Sequence, residues 1–162
     1  MVKVLFVCMG NICRSPMAEG VFQKYLELHG GNLSVVVDSA GTHSYHAGHS
    51  PDHRAQAAAA RRGVDIADLK ARPVEPADFE RFNYILAMDQ DNLEWLLEEA
   101  SEEHHEKIRL YLDFSPQSQG ADVPDPYYGS PMGFERVLDL VQEGAEGLLD
   151  ELKKAVQATD RR

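Results

Sequence analysis

The sequence predicts an α/β fold, in which a mostly parallel sheet carries helices on both of its faces. Short apolar segments rich in β-branched residues alternate with longer segments whose apolar residues recur at helical spacing, a pattern typical of parallel sheets with crossover helices. No internal repeat or linker-like break interrupts the 162 residues, so we expect a single domain spanning 1–162. In such sheets, ligands bind beyond the carboxyl ends of the strands.

Four segments have the composition of buried strands, because they are short, apolar and rich in β-branched or aromatic side chains. They are "VKVLFV" (2–7), "LSVVVDS" (33–39), "FNYILAM" (82–88) and "KIRLYL" (107–112). Cys8 follows the first of them directly and is therefore placed at a carboxyl end of the sheet.

The first predicted helix begins just after the first strand. Ser15 is a suitable N-cap and Pro16 suits the first helical position, and the helix is expected to end at Gly30 and Gly31. Three further helices are indicated by alanine content or by apolar residues at a period of 3.6. They are "DHRAQAAAARRG" (52–63), "DQDNLEWLLEEASEEH" (89–104) and, after a proline-rich connection over 113–133, a long segment with an apolar stripe from Phe134 to Val156.

Composition excludes several classes of function. The chain has 16 Lys and Arg against 27 Asp and Glu, for a net charge of −11, and it has no basic cluster of the kind that binds a nucleic-acid backbone. No apolar run is long enough to span a membrane, and the amino terminus lacks the pattern of a signal peptide. We therefore expect a cytoplasmic protein without nucleic-acid or membrane partners.

The segment "VCMGNICRSP" (7–16) is the strongest functional signal, and it holds both cysteines of the chain. Successive backbone N–H groups in a tight loop before a helix form an anion-binding nest. Gly10 and Asn11 tolerate the left-handed conformations that such a loop requires. Arg14 can donate two parallel N–H bonds to one phosphate. The residues predicted to form this phosphate-binding loop are Met9, Gly10, Asn11, Ile12, Cys13, Arg14 and Ser15.

Cys8 at the start of this loop is a candidate nucleophile. The same N–H donors and the cationic side chain would stabilise its thiolate, and Ser15 could add a hydroxyl to the sulfur. A nucleophilic thiolate beneath a phosphate site suits covalent phosphoryl transfer. The alternative is a small buried cysteine at the end of a strand, because the C-x5-R spacing alone has little weight.

Phosphoryl transfer also needs a general acid and base. Asp125 in "VPDPYYG" is the candidate, since it lies between two prolines on the long connection and is followed by Tyr127 and Tyr128. The alternative is a plain turn, because these residue pairs are common in turns.

Four histidines in the loop after the second strand raise the question of a metal. They are His43, His46, His49 and His53. No cysteine and no H-E-x-x-H pattern accompanies them, so we predict no metal and no cofactor. We expect these side chains to be exposed or to line the mouth of the cleft.

The motifs together resemble the low-molecular-weight protein tyrosine phosphatases. The resemblance is carried by "VLFVCMGNICRSPMAE", "VDSAGT…SPDHRA", "NYILAMDQDN" and "DPYYG", in the family's order, and it covers nearly the whole chain. It implies a three-layer fold with a four-stranded parallel sheet. It also implies hydrolysis of phosphotyrosine in proteins and of small aryl phosphates, with inorganic phosphate or vanadate as active-site ligands.

The resemblance also implies roles for individual residues. Cys8 is the nucleophile, Arg14 holds the phosphate and Asp125 is the acid and base. The other implied roles are hydrogen-bond support of the loop by Asn11, Ser15 and Ser39, a redox partner for Cys8 in Cys13, and a substrate cleft walled by Tyr45, Tyr127 and Tyr128.

The stretch "RGVDIADLKARPV" departs from the family, because it is slightly longer than the usual spacing. Many members have a histidine of the loop-supporting network there, where this chain has Leu69. We therefore expect the network to differ.

Three alternative functions stay open on the same motifs. Arsenate reductases of this fold pass oxidation to two further downstream cysteines, which this chain lacks. Phosphoarginine phosphatases resemble the loop with a threonine in place of Ile12, and an apolar side chain there suits a phenyl ring better. A phosphotyrosine-binding module without activity would need neither Cys8 nor Asp125.

Overall fold

The computed structural model describes residues 1–127, 129 and 132–160, and its centre is a parallel sheet. The described residues form four strands, which are β1 Val2–Cys8, β2 Val35–Gly41, β3 Tyr84–Ala87 and β4 Ile108–Leu110. Their order in the sheet is β2-β1-β3-β4, and every pair is parallel. The predicted α/β fold with a four-stranded parallel sheet is confirmed.

Five α-helices lie within the described residues. They are α1 Arg14–His29, α2 His53–Arg61, α3 Asp78–Arg81, α4 Gln90–Glu99 and α5 Met132–Asp160. Two 3-10 helices, Glu102–Lys107 and Tyr111–Phe114, flank β4. None of the described helices is both long and apolar enough to cross a bilayer.

Strand β1 separates two apolar cores, because successive side chains of a strand point to opposite faces. Val4 and Phe6 belong to the core shared with α1, α2 and α5. Leu5 and Val7 belong to the core shared with α4 and the segment around α3. All four side chains are fully buried, as is typical of a central strand in a sheet covered on both faces.

Helix α5 packs closely on the 3-10 helix after β4, because α5 carries glycine where the two helices meet. A Cβ atom on Gly147 would lie 1.6 Å from the carbonyl oxygen of Phe114, and one on Gly144 would lie 2.6 Å from the ring of Tyr111. The Tyr111 hydroxyl donates a hydrogen bond to the Val141 carbonyl (2.6 Å), so this buried polar group is satisfied.

Several predicted boundaries are wrong in ways that matter for the site. Cys13, not Ser15, is the N-cap of α1, and it makes no capping hydrogen bond. Ser15 lies inside the first turn, where its hydroxyl faces Cys8 instead. Strand β2 extends beyond its predicted end to Gly41, because it pairs with β1 as far as Cys8, and this pairing brings Ser39 beside the loop.

Other differences lie outside the site. Helix α4 ends at Glu99, and the rest of the predicted acidic helix is a 3-10 helix. Strand β4 is only three residues long, since the chain turns into another 3-10 helix at Tyr111. Helix α3 was not predicted, because a segment of four residues is too short to show a helical period.

Candidate active site

The loop between β1 and α1 places Cys8 beneath a set of hydrogen-bond donors. Its side chain is buried, at 3% exposure, and lies at the carboxyl end of the central strand. The backbone N–H of Asn11 donates to Cys8 Sγ at 3.3 Å, and Ser15 Oγ lies 3.0 Å from the same sulfur. Helix α1 begins at Arg14, six residues after Cys8, and the positive potential of its amino terminus acts on the loop.

Asn11 holds the loop in a left-handed conformation, with φ of 58°. Its Nδ2 donates to Ser15 Oγ (2.7 Å) and to Ser39 Oγ (3.0 Å), while its Oδ1 accepts from the backbone N–H of Arg72 (3.0 Å). These three partners fix which way the amide points. They also offset the strain of a left-handed residue, which costs on the order of 1–3 kcal/mol. The three residues predicted to support the loop are thus brought together.

Gly10 serves the loop for a different reason from the one expected. Asn11, and not Gly10, has the positive φ. A Cβ on Gly10 would lie 3.0 Å from Cδ2 of His46. The glycine therefore gives room for the His46 ring, which contributes to the cleft.

Arg14 is fixed from two sides although its guanidinium is buried, at 3% exposure. Its Nη1 donates to Asp89 Oδ2 (2.5 Å) and to the Val123 carbonyl (3.0 Å). Burial lowers the pKa of Arg14, but the neighbouring Cys8, Asp89 and Asp125 outweigh burial and hold its pKa above the ordinary value. The guanidinium is therefore a permanent, oriented positive charge beside Cys8.

Asp125 lies at the edge of this arrangement, with its side chain 40% exposed. Its Oδ1 accepts from the Tyr127 backbone N–H (3.0 Å), and its Oδ2 lies 3.7 Å from Arg14 Nη2. The residue therefore makes the predicted turn and also presents a carboxylate to the cleft. The two interpretations of "VPDPYYG" are compatible.

A cleft of about 350 Å³ opens above Cys8. Arg14 and Cys13 share its base with Cys8, and the loop residues Met9, Gly10 and Ile12 line it as well. The remaining lining residues are Tyr45, His46, Asp125 and Tyr127. Tyr45 is strongly exposed (79%) and Tyr127 is half-buried. Tyr128, predicted as a further wall, lies outside the described residues.

The histidines do not form a metal centre in the part of the chain that the structure describes, where no group of three or more His, Cys, Asp or Glu side chains could hold an ion. His46 lines the cleft, with its ring centroid 6.4 Å from that of Tyr127. His43 lies beside Tyr45, at 5.3 Å between centroids. His49 and His53 are exposed.

Cys13 is a buried free thiol, like Cys8. Burial raises the pKa of Cys13 strongly, and the negative groups Asp52 and Cys8 raise it further. Cys13 is therefore held protonated, in contrast to what a nucleophile requires.

Three residues of the site were missed in the sequence. Asp89 caps α4, where its Oδ1 accepts from the Asn92 N–H (2.8 Å). Its second role is the ion pair with Arg14, which only the need of a buried arginine for a carboxylate could have indicated. Glu19 accepts a hydrogen bond from Ser39 Oγ (2.7 Å), and its position four residues after Ser15 on α1 places both on one helix face. Arg72 contributes a backbone N–H, for which the sequence has no signal.

Comparison with known proteins gives one consistent answer. The sequence model of the family described as low molecular weight phosphotyrosine protein phosphatase matches residues 3–158. A putative low molecular weight protein-tyrosine-phosphatase of Synechocystis sp. is 42% identical over 153 residues, which cover 94% of this chain and 97% of that protein. The crystal structure of a protein tyrosine phosphatase from Entamoeba histolytica, with Hepes in its active site, superposes with a TM-score of 0.91 at 42% identity, covering 96% of this chain and 99% of that one.

Two further solved structures have the same fold at lower sequence identity. An arginine phosphatase of Drosophila has a TM-score of 0.86 at 32% identity, with 94% and 98% of the two chains covered. Wzb of Vibrio vulnificus, solved in complex with benzylphosphonate, has a TM-score of 0.80 at 31% identity, with 93% and 98% covered. The match of the family model and the close relatives agree with the arrangement of the loop, and this chain belongs to the low molecular weight phosphotyrosine protein phosphatase family.

Proposed function

We propose that the protein hydrolyses phosphotyrosine in proteins, and small aryl phosphates, through a cysteinyl-phosphate intermediate. The observation that carries the proposal is the position of Cys8 at the base of the cleft. The N–H of Asn11, the hydroxyl of Ser15 and the guanidinium of Arg14 converge on it. Such a set of donors stabilises both a thiolate and the phosphoryl group that it attacks.

In the first step, the Cys8 sulfur attacks phosphorus, and an S–P bond forms as the P–O bond to the aryl group breaks. The phenolic oxygen takes the electron pair of that bond and a proton from the Asp125 carboxyl group. Arg14 donates to the equatorial phosphoryl oxygens, on which charge accumulates. Its anchoring by Asp89 supports this role, because the guanidinium does not have to be reoriented during the reaction.

In the second step, the Asp125 carboxylate accepts a proton from water while the water oxygen attacks phosphorus. The S–P bond breaks, and its electron pair returns to the Cys8 sulfur. Ser15 supports this departure, because its oxygen accepts from Asn11 and its hydrogen is left to donate to the sulfur. Inorganic phosphate is released.

The lining of the cleft favours an aromatic leaving group. The Tyr45 and Tyr127 rings and the apolar Ile12 can pack against a phenyl ring. The neighbour that bound benzylphosphonate has an aryl ligand, which agrees with this preference. The similarity to an arginine phosphatase makes phosphoarginine the second candidate, but Ile12 has no hydroxyl with which to orient water toward a phosphoramidate.

Two other functions are disfavoured. An arsenate reductase of this fold would need further cysteines, and the chain has two in all. A binding module without activity would not need a thiol and a carboxylate on either side of the phosphate position. The proposal includes a cytoplasmic location, a compartment in which thiols such as Cys8 and Cys13 stay reduced.

Initial rates on phosphotyrosine, phosphoserine and phosphoarginine peptides and on arsenate, all measured in EDTA, test the proposal. We expect phosphotyrosine to be hydrolysed fastest, without any loss of activity in EDTA. Cys8→Ser should abolish turnover while it still binds vanadate, and Ser118→Ala, at a residue outside the lining of the cleft, is the control. Faster turnover of phosphoarginine would favour the second candidate, and an activity that EDTA removes and zinc restores would contradict the cysteine mechanism.

A further inference from the structure

A continuous chain of hydrogen bonds connects a carboxyl group on α1 to the sulfur at the base of the cleft. Ser39 Oγ donates to Glu19 Oε1 (2.7 Å) and accepts from Asn11 Nδ2 (3.0 Å). Asn11 Nδ2 also donates to Ser15 Oγ (2.7 Å), which lies 3.0 Å from Cys8 Sγ. Glu19 therefore sits at the far end of the same network that sets the conformation of the phosphate-binding loop.

No cation is dedicated to Glu19 among the described residues. Arg72 lies near it, but its guanidinium is shared between Asp38 (3.0 Å) and the fully buried Asp78 (2.9 Å). Leu69, which lines the same cavity as Glu19, packs against the apolar core. Glu19 is thus a partly buried carboxyl group whose closest partner is a neutral hydroxyl.

The surroundings of Glu19 are acidic on balance. The titratable groups that face it come from α1 itself, from β2 and from the segments that follow α2. Asp38 and Arg72 act on it electrostatically, whereas Lys24, Glu27 and Asp65 only line the cavity beside it. Burial raises the pKa of Glu19 to about 7, against the lowering effect of the Ser39 hydroxyl, and Asp38 raises it further while Arg72 lowers it.

We propose that Glu19 is a positioning residue whose protonation state sets how firmly the phosphate-binding loop is held. When Glu19 is ionised, its bond with Ser39 is charge-assisted, and such bonds are roughly twice as strong as neutral ones. The direction of that bond is then also fixed, because a carboxylate can only accept. Ser39 must donate to Glu19, so its lone pairs are directed at Asn11, which is the residue with the strained backbone.

When Glu19 is protonated, this constraint is lost. The carboxyl group becomes able to donate, and Ser39 is no longer required to direct its hydrogen at Glu19. The hydrogen bond that Asn11 donates to Ser39 is then weaker, and it offsets less of the strain of the left-handed backbone at Asn11. Oxyanion binding in the loop should therefore weaken as the pH falls through the range in which Glu19 gains its proton.

An opposing effect acts through space, since a carboxylate repels a bound oxyanion. Glu19 adjoins an open surface cavity whose lining includes the charged residues Lys24, Glu27 and Asp65, and water there screens long-range charge. The hydrogen bond acts over 2.7 Å. We therefore expect the hydrogen bond, and not the repulsion, to determine whether ionisation of Glu19 strengthens or weakens oxyanion binding.

The inference rests on the proposed oxyanion site but not on turnover, so it is tested by binding of sulfate, which keeps its charge between pH 5.5 and 8.5. Calorimetry on the full chain would compare the wild-type protein with Glu19→Gln, whose amide can accept from Ser39 but never ionises. Groups that titrate in both proteins cancel in the ratio of the two dissociation constants. Glu27→Gln is the matched control, since Glu27 is an exposed residue of the same helix and lines the same cavity.

At pH 8.5, we expect Glu19→Gln to bind sulfate about fivefold more weakly than the wild type, as a change from a charge-assisted to a neutral hydrogen bond implies. At pH 5.5 the two should bind equally, with the change centred near the pKa of Glu19, and Glu27→Gln should match the wild type throughout. A ratio that does not change with pH, or tighter binding by Glu19→Gln at pH 8.5, would overturn the inference. Sulfate binding with this pH dependence in a protein that hydrolyses no aryl phosphate would leave the inference standing and overturn the proposed function alone.

A second measurement does not depend on the glutamine variant. Carboxyl-carbon NMR of the wild type follows the titration of Glu19 directly, with and without saturating sulfate. If ionised Glu19 favours sulfate binding, sulfate must by reciprocity lower the pKa of Glu19, and Ser39→Ala should remove that shift. A rise in the pKa of Glu19 on adding sulfate would show that repulsion dominates and would overturn the inference.

Discussion

Arg14 and Asp89 form an ion pair beneath the cleft, in which Nη1 of the guanidinium lies 2.5 Å from Oδ2 of the carboxylate and the two side chains are 4% and 19% exposed. The pair joins the start of α1 to the start of α4, because Asp89 is also the N-cap of α4. The orientation of the arginine is therefore determined by a second element of the fold.

Asp89→Asn should weaken the phosphate site without unfolding the protein. The amide keeps the shape and can still cap α4, but it carries no charge to orient Arg14. A hydrogen bond to a charged group contributes about 1.5–3 kcal/mol, so kcat/KM on an aryl phosphate should fall roughly tenfold to a hundredfold. Asp91→Asn, on the same turn of α4 but exposed, is the control. Equal rates for both variants would show that the ion pair does not support catalysis.

Arg14→Lys should be nearly inactive although it preserves the charge. An ammonium group cannot reproduce the planar fork that holds a phosphate and the anchoring acceptors together. Steady-state kinetics and vanadate inhibition would measure the loss, with the exposed Arg61→Lys as control. A variant with near wild-type kcat/KM would mean that only the charge at this position matters.

Asp125→Ala should lower the rate by roughly 10²–10⁴, the usual contribution of a general acid. The loss in kcat/KM, which reports the first step, should be larger for phosphotyrosine than for an aryl phosphate whose leaving group needs little protonation. The comparison of the two substrates separates chemistry from structure, because Asp125 also accepts a hydrogen bond within its own turn. Equal losses on the two substrates would indicate that the substitution only disrupts the turn. Asp122→Asn, in the same connection, serves as control.

Cys13→Ser should alter recovery from oxidation more than it alters activity. Peroxide would oxidise the Cys8 thiolate to a sulfenic acid, which a second thiol can capture as a disulfide and so protect from irreversible oxidation. Cys13 is held protonated by burial, so we expect the disulfide to form only after the loop opens enough to expose it. After peroxide and then thiol, the wild type should recover most of its activity and Cys13→Ser much less. The same recovery in both would assign Cys13 to packing.

The pKa of Glu19 also predicts a stability effect with a definite sign. Its pKa in the folded protein is about 7, above the ordinary value of 4.5, so folding favours the protonated form. The contribution of Glu19 to stability is therefore full below pH 4.5 and is lost as the pH rises through 7. Relative to Glu19→Gln, the free energy of unfolding of the wild type should decrease between pH 5 and pH 8 in urea denaturation. A parallel pH dependence of the two proteins would contradict the raised pKa.

The sequence predicts those parts of the site that depend on one local segment. Cys8, Arg14 and the loop between them follow from a buried strand, a Gly-Asn pair and a helix start, all within residues 2–16. The alternation of strand-like and helical segments likewise predicts a parallel sheet. The uniformly apolar composition of β1 agrees with its burial on both faces. The error at Ser15 has the same local origin, since Ser-Pro is a typical helix start and nothing nearby shows that the hydroxyl is needed at the sulfur.

The parts that the sequence does not predict are contacts between distant segments. Asp89 reaches Arg14 across 75 positions, and the Arg72 N–H reaches Asn11 across 61. The Arg72 contact uses a backbone N–H, which almost any residue type could supply, so the sequence does not indicate it. Glu19 meets Ser39 across 20 positions, in a contact between α1 and β2 that no local pattern in the sequence indicates.

The most direct test of the account is to identify the atom that carries the phosphoryl group during turnover. Asp125→Ala should accumulate the intermediate on an activated aryl phosphate, because the leaving group departs unaided while water lacks its base. Mass spectrometry of the acid-quenched, digested protein is then expected to find the phosphoryl group on the peptide that contains Cys8, and to find none when Cys8→Ser is added. A phosphoryl group on another residue, such as His46, or rapid turnover without any adduct on Cys8, would contradict the cysteinyl-phosphate mechanism.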